Sequence, residues 1–255
     1  MDQSGGGVNQ FYNINVSGIG TKRKKIKDLF TEINITSLRN KVIAVDASNV
    51  LYEVLSAAHK VKKPGLYEII LRKKLNMWKA NQLDCIWVFD NPKPNQLRLD
   101  ICKSSSGVEL TASNIRRAQE ILREEKVKFI TSRPGFEAEQ VCAKLTRTSL
   151  KVGGEYLPKA DYVMTCDSDA LVFGAQGVLV RTDKSRTFKC LMLSDLLKEL
   201  DINRRQLAII AVILGTDFNE GIRGIGPATV VRMVKAKRYH LGSRDKKIVA
   251  YYLKD

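Results

Sequence analysis

Histidine is scarce in this sequence and cysteine is unorganised. The two histidines, His59 and His240, leave little material for imidazole-centred catalysis or a His-rich metal site. Five cysteines, Cys85, Cys102, Cys142, Cys166 and Cys190, are odd in number and nowhere form a CxxC pair, which argues against structural zinc and against a disulfide framework. No apolar run approaches the roughly 18 residues of a membrane span. No apolar segment opens the chain either, so the expectation is a soluble, intracellular protein with no membrane partner, nucleus and cytoplasm both left open.

What the chain has in excess is positive charge. Lys and Arg total 43 against 27 Asp and Glu, a formal charge of +16 spread along 255 residues. That excess points to a polyanionic partner without distinguishing DNA from RNA. The length suits one substantial core.

The opening MDQSGGGVNQFYN is Gly-rich and polar, and residues 1–17 read as a flexible extension before a single domain at 18–255. A basic run, Thr21 to Lys27, continues into the amphipathic pattern KIKDLFTEI. An import signal, a phosphate-binding helix start and a solvated face all fit it. Apolar, β-branched runs then alternate with helical spacing: KVIAV, CIWVF, VKFIT, YVMTC and GVLVRT, separated by LYEVLSAAHK, GLYEIILRKKLNMWKA, SNIRRAQEILREEK and EAEQVCAKLTRTSL. This alternation predicts an α/β fold, a mostly parallel twisted central sheet covered by helices on both faces. Helices around SDLLKELD and RRQLAIIAVILG follow, the second apolar nearly all round and so buried. A glycine-rich turn and a last helix near TVVRMVKAK complete the pattern, while Lys103 to Gly107 reads as a mobile loop.

Acids follow the strands. KVIAV runs into Asp46, CIWVF into Asp90, YVMTC into Asp167 with Asp169 two residues on, and VKFIT leads to Glu137 and Glu139. Open parallel sheets place their sites at the carboxyl ends of strands, so these acids are expected to converge. Gathered carboxylates repel one another and call for hard cations, and Mg²⁺ takes oxygen ligands while leaving room for substrate phosphate. Each acid also has a plainer explanation: Asp46 as a helix cap, Glu137 and Glu139 as first-turn charges, Asp90 before Asn91-Pro92 as turn chemistry.

A second feature is the run from Leu214 to Pro227, whose GIGP core precedes a helix start. Glycine-rich turns expose backbone N–H groups that hold phosphate without reading bases, and they also make tight helix connections. Arg223, Arg232, Lys235 and Lys237 beside the turn favour phosphate.

The stretches VIAVDASNVLYEVL, WVFDNPKPNQLR, RPGFEAEQVCAKL, ADYVMTCDSDALVFGAQGVLVR and LGTDFNEGIRGIGPATVVRMV, in that order, resemble the flap endonuclease family and the related XPG-type nucleases, from about residue 18 to about residue 237. The resemblance implies a two-metal-ion phosphodiesterase that hydrolyses flapped, nicked or branched DNA and leaves a 5′ phosphate and a 3′ hydroxyl. Asp46, Asp90, Glu137, Glu139, Asp167, Asp169 and Asp217 match the family's seven metal-site acids, implying two Mg²⁺ ions for which Mn²⁺ would substitute. Tyr52 matches an aromatic that stacks on a base, with core packing as its alternative. Lys93 and Arg98 match basic residues set over the reacting phosphate, and Lys103 is a further candidate. The turn resembles a helix–turn–helix duplex clamp at about 203–240, with Arg223, Gly224, Gly226, Arg232 and Lys235 toward nucleic acid and Gly221, Ile222 and Ile225 forming a loop for K⁺.

Three departures from the family pattern stand out. Gly18-Ile19-Gly20, similar to the family's amino terminus, lies behind an extension. The arch region, about 99–112, is too short for a full helical arch, which puts threading of a free 5′ flap in question. The sliding-clamp peptide pattern QxxLxxFF is absent after the clamp helix. The expected protein is a monomer that binds nucleic acid, and an RNA endonuclease on the same fold and a non-catalytic nucleic-acid-binding module are the alternatives.

Overall fold

A computed structural model of the chain describes residues 11–16, 24–93, 95–97, 108–182 and 186–254. Two-residue strands, Asn15–Val16 (β1) and Lys24–Lys25 (β2), form a small antiparallel ladder. The central sheet is built from Thr31–Asn34 (β3), Val42–Asp46 (β4), Asp84–Phe89 (β5), Lys128–Thr131 (β6), Tyr162–Met164 (β9), Gly177–Arg181 (β10) and Thr187–Met192 (β11). A separate hairpin pairs Leu150–Val152 (β7) with Glu155–Leu157 (β8). The helices are Ala47–Lys60 (α1), Leu66–Ala80 (α2), Ala112–Glu124 (α3), Ala138–Leu145 (α4), Asp169–Val172 (α5), Leu193–Leu200 (α6), Arg204–Leu214 (α7), Val230–Lys235 (α8) and Ser243–Tyr252 (α9).

Strand order is β3-β11-β10-β9-β4-β5-β6. The five strands β10, β9, β4, β5 and β6 run parallel, and β11 is antiparallel to both of its neighbours. From β4 the chain winds outward through β5 and β6, then returns to the other side of β4 to lay down β9 and β10. The β4/β9 boundary is therefore the point where the winding direction reverses, and a crevice opens there beyond the carboxyl ends of the strands.

Alternation along each strand explains the two cores. Ile43, Val45, Cys85, Trp87 and Phe89 face α1, α2 and α3, whereas Ala44, Ile86, Val88 and Val163 face the side covered by α4, α5 and α7. Helices cover both faces, as the strand–helix alternation predicts. Residues Leu207 to Leu214 of α7 are all buried, so this helix forms the centre of the second layer. Each such large side chain withdrawn from water contributes about 1.5–3 kcal/mol. Asn203 starts α7 by accepting from the Gln206 amide, with Gln206 returning the bond.

Some expectations are corrected. The helical pattern EAEQVCAKLTRTSL is helix only to Leu145; its end turns at Thr146 to Thr148 and becomes β7. The KIKDLFTEI pattern is a short 3₁₀ turn, Ile26–Leu29, followed by β3, because the β-branched Thr31 and Ile33 pair with β11. The segment near TVVRMVKAK is not the last helix, since α9 follows it. Within the expected extension at 1–17, Phe11 and Ile14 are buried in the second core. Gly18-Ile19-Gly20, Arg98, Lys103 and most of the arch region at 99–112 lie outside the described residues. Cys85, Cys142, Cys166 and Cys190 are free thiols.

Candidate metal centre

The acids that follow β4, β5, β6 and β9 meet at the reversal point. Asp46, Asp90, Glu137, Glu139, Asp167, Asp169 and Asp217 all line one cleft of about 150 Å³, together with Ser48, Asn49 and Tyr52. One carboxylate oxygen from each of Glu139, Asp167 and Asp169 lies within 4.8 Å of the other two. Asp217 arrives from a different direction, on the turn after α7.

Two of the plain roles weighed, Asp46 as a helix cap and Glu139 as a first-turn charge, are seen and coexist with the convergence. Asp46 caps α1, its Oδ1 accepting from the Asn49 amide at 3.2 Å, while Oδ2 accepts from the Thr165 hydroxyl at 3.2 Å. Asp90 accepts from the Ser48 hydroxyl at 2.9 Å and from the Ala138 amide at 2.8 Å, which ties the end of β5 to the start of α4. Asp167 accepts from the Asp169 amide at 3.0 Å, and the Asp167 amide donates to the Thr165 hydroxyl at 3.1 Å. The Cys166 amide donates to Asn49 Oδ1 at 3.2 Å, so α1 also orders the turn after β9. Ser48, Asn49 and Thr165 were not legible as site residues, because a hydroxyl or amide near a helix start is ordinary in any sequence.

Electrostatics give the cleft its character. Burial first, then the Asp90 and Asp167 carboxylates, raise Asp46 to about 7. Glu139 is raised well above the usual carboxylate range by burial and by Asp167, Asp46, Asp169 and Asp217. All seven carboxylates offer hard oxygen donors, and among the described residues no histidine or cysteine lines the cleft. That donor set fits Mg²⁺ or Mn²⁺ and is a poor match for zinc.

Around this centre the remaining candidates separate. Tyr52 is 38% exposed on the cleft wall, so it is not a buried core residue. Lys93 is exposed on the loop after β5, where its amide donates to Asn91 Oδ1 at 3.0 Å, and it does not line the cleft. Arg223, Gly224, Arg232 and Lys237 are exposed around the turn between α7 and α8. Lys235 is also exposed but holds Asp201 at 2.8 Å. At Gly224 and Gly226 an added Cβ would meet no atom, so the backbone there is open to approach.

Gly221 is constrained in the opposite way. Its φ is +78°, and a Cβ would lie 2.7 Å from the Gly215 nitrogen and 2.8 Å from the Leu214 carbonyl oxygen. The neighbouring Ile222 amide donates to Ile213 O at 2.8 Å, and Ile222 O accepts from the Ile225 amide at 3.2 Å. Gly221→Ala is expected to destabilise the protein by at least about 2 kcal/mol, through the positive φ and the backbone clash together. A chemical-denaturation midpoint equal to that of the wild type would show that the turn relaxes freely.

Comparison with known proteins places this geometry. Residues 126–217 match the XPG I-region family model. The chain is 27% identical over 253 residues to Flap endonuclease 1 of Methanococcus aeolicus, the match covering 84% of this chain and 74% of that protein. Flap endonuclease-1 from Methanococcus jannaschii shares the fold with a TM-score of 0.68 at 20% identity, covering 88% of this chain and 82% of that one. The catalytic core of Rad2, solved in complex with DNA substrate, gives a TM-score of 0.67 at 20% identity, covering 88% and 76%. The resemblance read from the motifs is borne out by these matches.

Proposed function

We propose that this relative of the flap endonucleases and XPG-type nucleases is a Mg²⁺-dependent, structure-specific 5′ nuclease that hydrolyses phosphodiester bonds in flapped, nicked or branched DNA, leaving a 5′ phosphate and a 3′ hydroxyl. The observation that carries the reading is the meeting of seven carboxylates from five separate parts of the chain in one cleft beside an exposed tyrosine. Capping and turn chemistry account for individual acids; they do not account for the assembly.

In this reading Asp46, Asp90, Glu137, Glu139, Asp167, Asp169 and Asp217 hold two Mg²⁺ ions. Divalent cations in such a site lower the pKa of an attacking water and neutralise charge on the phosphate and the leaving oxygen. The chain's own groups do the rest. Asp46 and Asp90 are held by hydrogen bonds from Asn49, Thr165, Ser48 and Ala138, so their orientation is set before substrate arrives. Tyr52 offers a ring face to a base next to the cleft, an interaction worth about 1–3 kcal/mol and indifferent to sequence. Lys93 and Arg98, with Lys103 further along the sequence, would offset the negative charge that develops on the reacting phosphate.

Duplex is held away from the cleft. Arg223 and Arg232 meet backbone phosphate beside the open glycines Gly224 and Gly226, and Lys235 joins them by exchanging Asp201 for phosphate. Such contacts position without reading sequence. Gly221, Ile222 and Ile225 form the loop expected to take K⁺ through carbonyl oxygens. The domain reading follows: one nuclease domain with a helix–turn–helix clamp at about 203–240. No helix among the described residues is long and apolar enough to cross a membrane.

The test is a cleavage panel in Mg²⁺ with 5′-labelled and 3′-labelled flap, nicked, gapped and single-stranded DNA, and matched RNA. Incision of flapped or nicked DNA near the junction, abolished by EDTA, is the expected result. Preferential cutting of single-stranded RNA would replace this reading with an RNA endonuclease. Binding without cleavage of any substrate in Mg²⁺ or Mn²⁺ would leave a binding module.

A further inference from the structure

Helix α9 reaches the acid cleft from beyond the helix–turn–helix. Tyr252 is fully buried, and its ring packs on Phe173 with centroids 4.6 Å apart and on Phe218 at 5.7 Å. Its hydroxyl donates to Asp169 Oδ2. A phenol buried in an aromatic cluster has to find an acceptor, and the one chosen here is a cleft carboxylate.

The helix is anchored at several points that bear on the same cleft. Arg204 Nη2 donates to Tyr252 O at 3.0 Å and to Phe173 O at 2.8 Å, fixing the end of α9 against the end of α5. Arg244 Nη2 donates to Leu97 O at 3.0 Å, and Asn219 Nδ2 donates to Asp245 Oδ1 at 3.2 Å. Tyr251 donates to Gly135 O at 3.3 Å and accepts from the Glu137 amide at 3.4 Å. One helix thus touches the segments that carry Glu137, Asp169 and Asp217.

We propose that Tyr252 is a positioning residue that fixes the carboxylate of Asp169 for a divalent cation, which makes α9 part of the metal centre. The inference rests on the metal reading above. With Oδ2 tied to a hydroxyl on a rigid ring, the carboxylate cannot rotate away from Glu139 and Asp167. Outer partners of this kind are worth about 10–100-fold in metal affinity when removed.

Tyr252→Phe removes the hydroxyl and keeps the ring. Mn²⁺ binding, followed by the electron paramagnetic resonance signal of free Mn²⁺, is expected to weaken about tenfold or more. The melting temperature of the metal-free protein is expected to stay close to that of the wild type. Tyr67→Phe, at a buried tyrosine of α2 that does not line the cleft, serves as the control and is expected to bind Mn²⁺ like the wild type. Should wild type show no Mn²⁺ binding sensitive to Asp167→Ala, the metal reading itself falls. If wild type binds and Tyr252→Phe matches it, the metal reading stands and the positioning role falls. Equal weakening by Tyr67→Phe, or a Tyr252→Phe chain that does not fold, also overturns the role, because a hydroxyl that only orients Asp169 would do neither.

Discussion

Asp167→Ala is expected to slow cleavage of a flapped duplex by at least about a thousandfold, roughly 4 kcal/mol of transition-state stabilisation, with duplex binding largely spared. Asp167 is one of the three acids whose oxygens approach within 4.8 Å of one another, so its loss removes charge from the tightest part of the cleft. It also removes the acceptor for the Asp169 amide at 3.0 Å. Asp167→Asn separates these two effects, because an amide oxygen still accepts that bond but carries no charge. If cation binding is what matters, Asn is as damaging as Ala. Binding survives because the proposed duplex contacts, Arg223 and Arg232, are exposed around the α7–α8 turn and do not line the cleft. Cutting by either variant at the wild-type rate in Mg²⁺ would remove Asp167 from the chemistry.

The second large effect is on stability. In EDTA, the melting temperature is expected to fall as the pH rises from about 5 to about 8, and saturating Mg²⁺ or Mn²⁺ is expected to reverse the trend. Asp46 in the fold holds its proton up to about 7, against the ordinary value of 3.8, and Glu139 is displaced in the same direction. Between those values the folded chain binds more protons than the unfolded one. The stabilisation is therefore complete below about pH 4 and is lost as the pH climbs through about 7. Cations compete with those protons, so their affinity rises over the same window and binding releases protons. A flat or rising melting curve in EDTA, or an equal cation effect at every pH, would show that the carboxylates do not share their charge in this way.

Other ion pairs do not blur that window. Arg72 and Arg117 draw Glu124 below the usual range, and Lys79 with Arg72 does the same for Glu125. Lowered in this way, these acids are already ionised across the window.

Much of the candidate site was legible in the chain because Asp46, Asp90, Asp167 and Asp169 stand at the ends of recognisable strands. KVIAV before Asp46 and CIWVF before Asp90 are apolar runs with clear boundaries, and parallel strands point their ends the same way. Asp217 carries no such mark, since it follows a helix, and only resemblance to known nucleases singled it out. Tyr252 carried no mark of any kind: an aromatic pair late in a chain reads as core, and here it is both core and donor to Asp169. The antiparallel strand Thr187–Met192, paired by β10 on one side and β3 on the other, also went unread, its alternation breaking at Cys190 and Leu191, which are both buried.

Residue order by itself determined most of the helices, the five parallel strands and the hard-oxygen chemistry of the acids. These follow from local periodicity and side-chain type, both of which act between near neighbours. Tertiary structure alone decided that the winding reverses between β4 and β9, that Tyr52 stands on the cleft wall, and that Asp46 and Glu139 keep their protons to unusual pH. Desolvation and charge repulsion depend on groups brought together from distant positions, such as Asp46 with Asp167, and no local pattern records that separation in space.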